Sequence, residues 1–557
     1  MYERKESNQS YIKISMRLIG WVKPLAGVML LAVGTGALGH IAAISIPVIG
    51  AWGTVRIMGG HSLNIYLMAV ILVGIGVIRA ICHYIEQLSN HHIAFKVLAI
   101  IRNRVFLVLR KLAPAKLEGR DSGTLVSALT SDIELLEVFY AHTISPVSIA
   151  TVVTVVMFAF MFHYHWSYAL LALTFYLILG IIVPIITSKL GREVGRAQRA
   201  DLSRLNSFLL DSFRGIRECI QFSQEDKRLE ELESYTDKLV TSTRRLSDTS
   251  VHNLNLSLAV VLSGYIAFWS LATYLYVNGS VSWDAAVIPS IAFMSSFGPV
   301  LALSNLANNL LLTFACGERV FGIIDEKPAV NENTDGREAK FEEMKLEHVD
   351  FSYDGKPILR NWNLELNKGE ILGIKGPSGC GKSTALKLMM RIYDPYAGKV
   401  MLNEDSLSSY RSEAVRKMEN HMSQSTHLFD DSLLENVRLA RLDASDDEVY
   451  EACRKAAIDE TIRSFPDGYL TPAGALGDRL SAGERQRIGL ARAFLHGGSV
   501  TLLDEPTANL DSLNEAVILK TIREEAKKEQ AVIIVSHRAS TLRIADRLLE
   551  VQAEGLS

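Results

Sequence analysis

Hydrophobic and polar positions are distributed unevenly along this chain. Up to residue 320 the apolar residues come in long runs, whereas from 340 to 557 they come in short ones separated by charge. Six runs, roughly 22–50, 63–86, 141–163, 167–188, 255–277 and 285–312, are long enough to cross a hydrocarbon layer as helices, which takes about 20 residues. The pattern predicts a membrane domain that spans six times. LAIIRNRVFLVLRKLAP, after the second run, and LNSFLLDSFRGIRECIQFSQEDKRLEELESYTDKLV, after the fourth, place apolar residues at i, i+3, i+4 and i+7 among charges. That is the period of helices continuing beyond the membrane.

A polar shift at DEKPAVNENTDGREAKFEE marks a linker. Beyond it KLEHVDFSY alternates like a strand, and the short β-rich runs ILGIKG, VTLLDE and AVIIVSH, separated by helical stretches, predict a parallel sheet. The expected fold is therefore an α-helical membrane domain over 1–320, a linker over 321–343 and an α/β domain over 344–557. A chain of 557 residues is also too long for one hydrophobic core.

Charge orients the spans. Lys96, Arg102, Arg104, Arg110 and Lys111 follow the second run, and Arg192, Arg196, Arg199 and Arg204 follow the fourth, while the alternate connections are short and nearly free of Lys and Arg. Basic residues stay on the cytoplasmic side, so both termini are expected there and the chain in the cell membrane, with lipid around it. The N-terminus MYERKESNQSYIKISMRLIGWVKPL lacks a small-residue cleavage site, which predicts an amphipathic lead-in helix rather than a removed signal. Cys82, Cys219, Cys316, Cys380 and Cys453 are scattered without a CxxC, so neither a disulfide framework nor a zinc site is expected. A net charge of −3 with no basic block offers nothing to nucleic acid. The short C-terminal segment RLLEVQAEGLS predicts no further regulatory domain.

Candidate chemistry lies in the second half. GPSGCGKST follows the strand ILGIK and precedes the helical run ALKLMMRIY, the context of a phosphate-binding loop. Gly376, Ser378, Gly379, Cys380, Gly381 and Thr384 shape that loop, Lys382 reaches the β- and γ-phosphates of ATP, and Ser383 ligates Mg²⁺. VTLLDE delivers Asp504 and Glu505 to a strand end, Asp504 for the Mg²⁺ shell and Glu505 to orient and polarise the attacking water.

LSAGERQR (480–487), just before VTLLDEPTANLD, resembles the signature of ATP-binding cassette proteins. In that family two cassettes close head to tail, so Ser481 and Gly483 are expected to complete the nucleotide site of a second cassette. The resemblance further assigns Tyr353 to adenine stacking, Gln424 to linking Mg²⁺ with the membrane domain, Asp511 to the D-loop and His537 to the γ-phosphate. The chain departs from the family at Ala482, where a glycine is usual, and at Ala475, where many exporters carry glutamate. Both departures bear on the site built from this chain's signature.

Six spans ahead of one cassette resemble a type IV exporter-type half-transporter, with SGTLVSALTSDIELLE (122–137) and GIRECIQFSQEDKRLEE (215–231) resembling its coupling segments. HYIEQLSNHHIAFKVLAIIRNRVF and DIELLEVFYAHTISPV are similar to the CydC subunit of CydDC-type transporters. That likeness implies a CydD-like partner and a small-molecule substrate: cysteine, glutathione or haem. Arg79, His83, Glu86, Gln87 and His91 recur at steps of three, four and seven and are expected to share one inward helix face. In the CydC-like pattern His91 stands where a haem-ligating histidine is placed. A solvated helix end, or thiol or anion binding by the Arg79 face, accounts for the same residues, and His40 offers a second polar contact. The alternatives for the whole are a multidrug, peptide or siderophore transporter on the same scaffold, and a regulatory, haem-sensing subunit with little ATP turnover.

Overall fold

The computed structural model describes residues 11–120, 122–304, 307–353, 355–474, 477–527 and 529–551. The expectations placed on residues 1–10, on Ala475 and on the end beyond 551 lie outside these ranges. The chain divides into two compact units, one comprising the residues up to Lys111 with Arg120–Glu326, the other Leu112–Gly119 with the residues from Lys327 onward.

In the first unit, α1 (Tyr11–Val22) buries Ile14 and Leu18 and exposes Lys13, Met16 and Ile19. Then come α2 (Ala26–Met58), α3 (Ile65–Leu112), α4 (Ser145–Tyr164), α5 (Trp166–Leu177), α6 (Val183–Arg214), α7 (Glu225–Val277), α8 (Trp283–Ser295), α9 (Gly298–Ser304) and α10 (Ala307–Ile324). Six helical stretches among the described residues are long and apolar enough to cross a membrane. With 48 and 53 residues, α3 and α7 reach about 72 and 80 Å at 1.5 Å per residue, over twice the hydrocarbon thickness. Their polar halves therefore extend beyond any bilayer.

The run expected as one helix over 285–312 is broken. Helix α8 stops at Ser295 and α9 starts at Gly298, because Pro299 has no N–H to return to residue 295 and disfavours helical geometry at the residue before it. The break places Phe297 in the core. There the rings of Tyr168, Phe268, Phe293 and Phe297 follow one another at 4.9, 4.6 and 4.8 Å between centroids. Such stacked and edge-on pairs contribute about 0.5–1.5 kcal/mol each beyond their buried area. Helix α10 is tied back to the unit by Arg319, which clasps Asp132 through two hydrogen bonds, and by Asp325, which receives Arg17 at 2.6 and 2.8 Å.

The second unit has two sheets. Strands β1 (Glu343–Tyr353), β2 (Lys356–Asn367), β4 (Ala397–Leu402) and β5 (Asp405–Ser406) form an antiparallel sheet in the order β2-β1-β4-β5. Strands β3 (Ile371–Lys375), β6 (Glu419–Met422), β7 (Val500–Asp504), β8 (Ala531–Val535) and β9 (Arg547–Glu550) form a parallel one in the order β6-β7-β8-β3-β9. The antiparallel sheet is an addition to the parallel sheet that the pattern predicts. Its β1 kinks at His348 (φ 48°), where Gly398 (φ 81°) lies so close that a Cβ would come within 2.3 Å of the His348 carbonyl oxygen.

Strands β7 and β8 are buried at every position because side chains of both faces are covered. Val500, Leu502, Ile533 and Val535 join a core with residues of both sheets and with α11 (Lys382–Met389). Leu503, Val532 and Ile534 point the other way, into a core with α12 (Asp446–Lys455), α13 (Ala482–His496) and α14 (Ser512–Ala526). Leu112–Gly119 packs in this unit too: Tyr393 donates to the Ala115 carbonyl at 2.7 Å and Lys387 pairs with Glu118 at 2.7 Å. That segment lies upstream of 122–137.

Candidate functional site

The carboxyl ends of β3, β6, β7 and β8 lie along one edge of the parallel sheet, the edge where open α/β sheets bind ligands. Each delivers part of the candidate site. After β3 the loop 376–381 leads into α11, whose first residue is Lys382. Gly379 (φ 82°) and Gly381 (φ 97°) occupy left-handed backbone that L side chains rarely adopt, and a Cβ on Gly381 would come within 2.3 Å of Leu359. Helix α11 has no side-chain cap, so its first N–H groups are left for an anion.

Lys382 is buried and folds back over the loop, its Nζ donating to the carbonyls of Gly376 and Pro377 at 2.8 Å each and lying 3.8 Å from Cys380 Sγ. Thr384 is buried in the same first turn, while Ser378 and Ser383 are exposed. A triphosphate and Mg²⁺ fit this set: free helix N–H groups, a lysine at the loop's centre, an accessible hydroxyl on Ser383 and the carboxylate of Asp504 ending β7.

Glu505 follows β7 directly with φ 53°, a conformation uncommon outside glycine, asparagine and aspartate. Several elements hold it there. Its N–H donates to the Val535 carbonyl at 2.8 Å, and its carboxylate receives Gln424 Nε2 at 3.3 Å and pairs with His537 Nε2 at 3.2 Å. Gln424 follows β6 and His537 follows β8, so the neighbouring strands bring three distant residues onto one carboxylate.

Ser481, Gly483 and Asp511 form a second group. Ser481 caps α13, its Oγ accepting from Glu484 N at 3.3 Å while Glu484 accepts from Ser481 N at 2.7 Å. Gly483 is pressed against the turn before α14, where a Cβ would come within 2.7 Å of the Asn509 carbonyl oxygen. Ala482 is exposed beside it. Asp511 caps α14, accepting from Leu513 N and Asn514 N at 3.0 Å each, and these bonds hold its carboxyl below the usual range.

Two further residues join the groups without having been singled out by their motifs. Gln486 is buried, donates to the Glu505 carbonyl at 2.6 Å and accepts from Asn509 N at 3.0 Å. Arg538, next to His537, donates to the Ala508 carbonyl at 2.8 Å and reaches Glu515. A buried glutamine inside LSAGERQR was the only sequence signal for the first.

Tyr353 closes β1, edge-on to Phe351 and Tyr393 at 4.9 and 5.3 Å, with its hydroxyl buried and unpartnered among the described residues. It is packed rather than projecting. The α3 stripe splits in two. His83 Nδ1 meets Glu86 at 3.3 Å, whereas His91 Nδ1 meets Glu137 at 3.3 Å and its ring lies 5.9 Å from those of Phe95 and His142. The single face expected for these residues fails because 3.6 residues per turn put His91 about 140° around the helix from Glu86.

The chain matches the model of the ABC transporter transmembrane region over residues 28–300 and that of the ABC transporter over 359–508. A "Probable ABC transporter ATP-binding/permease protein" of Haemophilus influenzae is 42% identical over 96% of this chain and 97% of its own. This chain belongs to the ABC transporter family. The transporter also resembles the "Glutathione/L-cysteine transport system ATP-binding/permease protein CydC" of H. influenzae, at 28% identity over 94% of this chain and 91% of that one. Among solved structures, a bacterial Atm1-family ABC exporter with ATP bound superposes with a TM-score of 0.80 at 20% identity, covering 96% of this chain and 94% of that chain. The transporter thus has an exporter-type fold, six candidate spans joined to an ATP-hydrolysing cassette.

Proposed function

We propose that this transporter is one half of a heterodimer with a CydD-like chain and that it moves cysteine or glutathione across the cytoplasmic membrane by alternating access. The observation that carries the ATP-driven part is Glu505, held at positive φ with its carboxylate between Gln424 and His537. In this reading Lys382 and the N-terminus of α11 bind the phosphates, Glu505 orients and deprotonates the attacking water, and His537 holds Glu505 and faces the γ-phosphate. Mg²⁺ held by Ser383, Asp504 and Gln424 would neutralise phosphate charge. Ser481, Gly483 and Asp511 serve the site of the partner cassette, since they form a separate group around α13. Basic residues after the second and fourth spans support a cytoplasmic cassette with both termini on the same side.

Two observations support a small polar substrate over a drug: the likeness to a glutathione and cysteine transporter, and the ionisable residues His40, Arg79, His83 and Glu86 in the spans. The surroundings of His91, a hydrogen bond with Glu137 and contacts with Phe95 and His142, support packing rather than haem ligation. The test is Glu505→Gln in the assembled pair reconstituted in vesicles. ATP turnover and substrate uptake should fall together by roughly 10²–10⁴-fold with ATP still bound, and unchanged turnover rejects the reading.

A further inference from the structure

Helices α2 and α3 line a half-open cavity of about 300 Å³ whose wall carries His40, Arg79, His83 and Glu86, with Arg79 and His83 exposed at its mouth. Gly36 and Gly39 of α2 make its narrow side, where a Cβ on Gly36 would come within 3.0 Å of the Glu86 carboxyl carbon and one on Gly39 would lie 3.4 Å from Cys82 Cβ. The two helices therefore approach closely where the ionisable groups cluster.

Counted from the start of α3 at Ile65, Arg79 lies about 21 Å along the helix, inside a hydrocarbon layer about 30 Å thick, and Glu86, at about 32 Å, lies just past its far edge. A charge at such depth is costly and faces a partner or water. Among the described residues, buried Glu86 has the His83 imidazole as its one polar partner and Arg79 meets no carboxylate. Among the described residues, the cavity therefore holds a guanidinium without a counter-ion, two imidazoles beside it, and a carboxylate with one polar partner at 3.3 Å. With Nδ1 of His83 turned to Glu86, Nε2 is the atom left for a ligand.

We propose that this cavity binds the amino-acid end of a zwitterionic substrate, its carboxylate on Arg79 with His40 and His83, its ammonium on Glu86. The fork of an arginine matches a carboxylate bidentately, and an ammonium supplies the donors that Glu86 lacks. A volume of about 300 Å³, at the lower limit for small-molecule sites, admits an amino acid or one end of a short peptide. The inference rests on the transport reading above and adds to it the grip by which substrate is chosen.

The experiment uses the full heterodimer in lipid nanodiscs, with reduced glutathione, glutathione diethyl ester and N-acetylglutathione as probes, read by direct binding and by stimulation of ATP turnover. Glutathione should bind and stimulate, and each capped form should bind about tenfold or more weakly, the loss expected for one charged hydrogen-bonding group. Arg79→Gln should lower glutathione affinity to that of the diethyl ester, and Arg79→Lys should restore part of it. Glu86→Gln should erase the preference for glutathione over the N-acetyl form. All three variants should elute as intact heterodimer and melt within a few degrees of the wild type, which shows that they fold. Equal binding of all three probes, or wild-type affinity in Arg79→Gln and Glu86→Gln, overturns the proposal. Drug-stimulated turnover with no response to glutathione overturns it and leaves ATP-driven transport standing, whereas absence of any turnover in the wild type rejects the transport reading itself.

Discussion

Gln486 of α13 donates its side-chain N–H to the backbone carbonyl of Glu505 at 2.6 Å. One buried amide thus joins the signature helix to the backbone of Glu505, and through Asn509 N at 3.0 Å to the turn before α14. A nucleotide contact at the signature has a route of a single side chain to Glu505, the proposed hydrolytic residue of the same cassette. Gln486→Leu leaves the Glu505 carbonyl without this donor, at a stability cost of about 1–3 kcal/mol. ATP turnover should fall about tenfold with little change in KM for ATP, since the loss acts on the placement of Glu505 and not on the phosphate loop. Steady-state kinetics of the assembled pair checks it.

Gly483 and Ala482 should respond in opposite ways. Gly483→Ala drives a methyl against the Asn509 carbonyl, so the turn before α14 must shift; turnover should drop at least tenfold and the melting temperature should fall. Ala482→Gly changes an exposed position, moves stability by no more than about 1 kcal/mol, and raises turnover if the methyl weakens the partner's nucleotide contact. Thermal unfolding and turnover, measured on both variants, separate the packing effect from the contact effect.

Glu419 of β6 is buried with its Oε1 unpartnered, and burial raises its carboxyl well above the ordinary 4.5. The folded chain holds this proton more tightly than the unfolded one. The stabilisation is therefore complete below pH 4.5 and lost as pH rises through the elevated folded value, at about 1.4 kcal/mol for each unit of elevation. Glu419→Gln should melt higher than wild type at pH 8, and the difference should shrink toward pH 5. A constant difference across that range would contradict the assignment.

Asp132 is buried and Arg319 half-exposed, and their two hydrogen bonds fasten α10 to the segment ahead of α4. Asp132→Ala leaves the guanidinium without its partner and should cost about 2 kcal/mol, toward the lower end for a buried pair because Arg319 reaches solvent. The double variant Asp132→Ala/Arg319→Ala should recover part of that loss. A double-mutant cycle followed by thermal unfolding measures the coupling.

Local features of the sequence account for much of this. Each span is a contiguous apolar run, and the phosphate loop, Asp504 and Glu505 sit beside strands whose apolar residues are adjacent in the chain, so one short window contains the signal. Other features required partners distant in sequence. Pro299 signals a helix break, but the length and hydrophobicity of 285–312 outweigh it until Phe297 is seen packed edge-on against Phe293. The alternation of KLEHVDFSY identifies a strand without naming the neighbours that make its sheet antiparallel.

By itself the sequence determined the helical membrane region, the α/β cassette, the residues able to hold phosphate, and the family signature, because hydrophobic period and loop chemistry are local. Only the tertiary structure decided that Gln424, His537 and Gln486 converge on Glu505, that the α3 stripe divides between Glu86 and Glu137, and that His40 of α2 faces Arg79 across a cavity. The physical reason is that strand order and helix packing join residues tens to hundreds of positions apart, and a helix turning 100° per residue separates side chains that sequence spacing lists together.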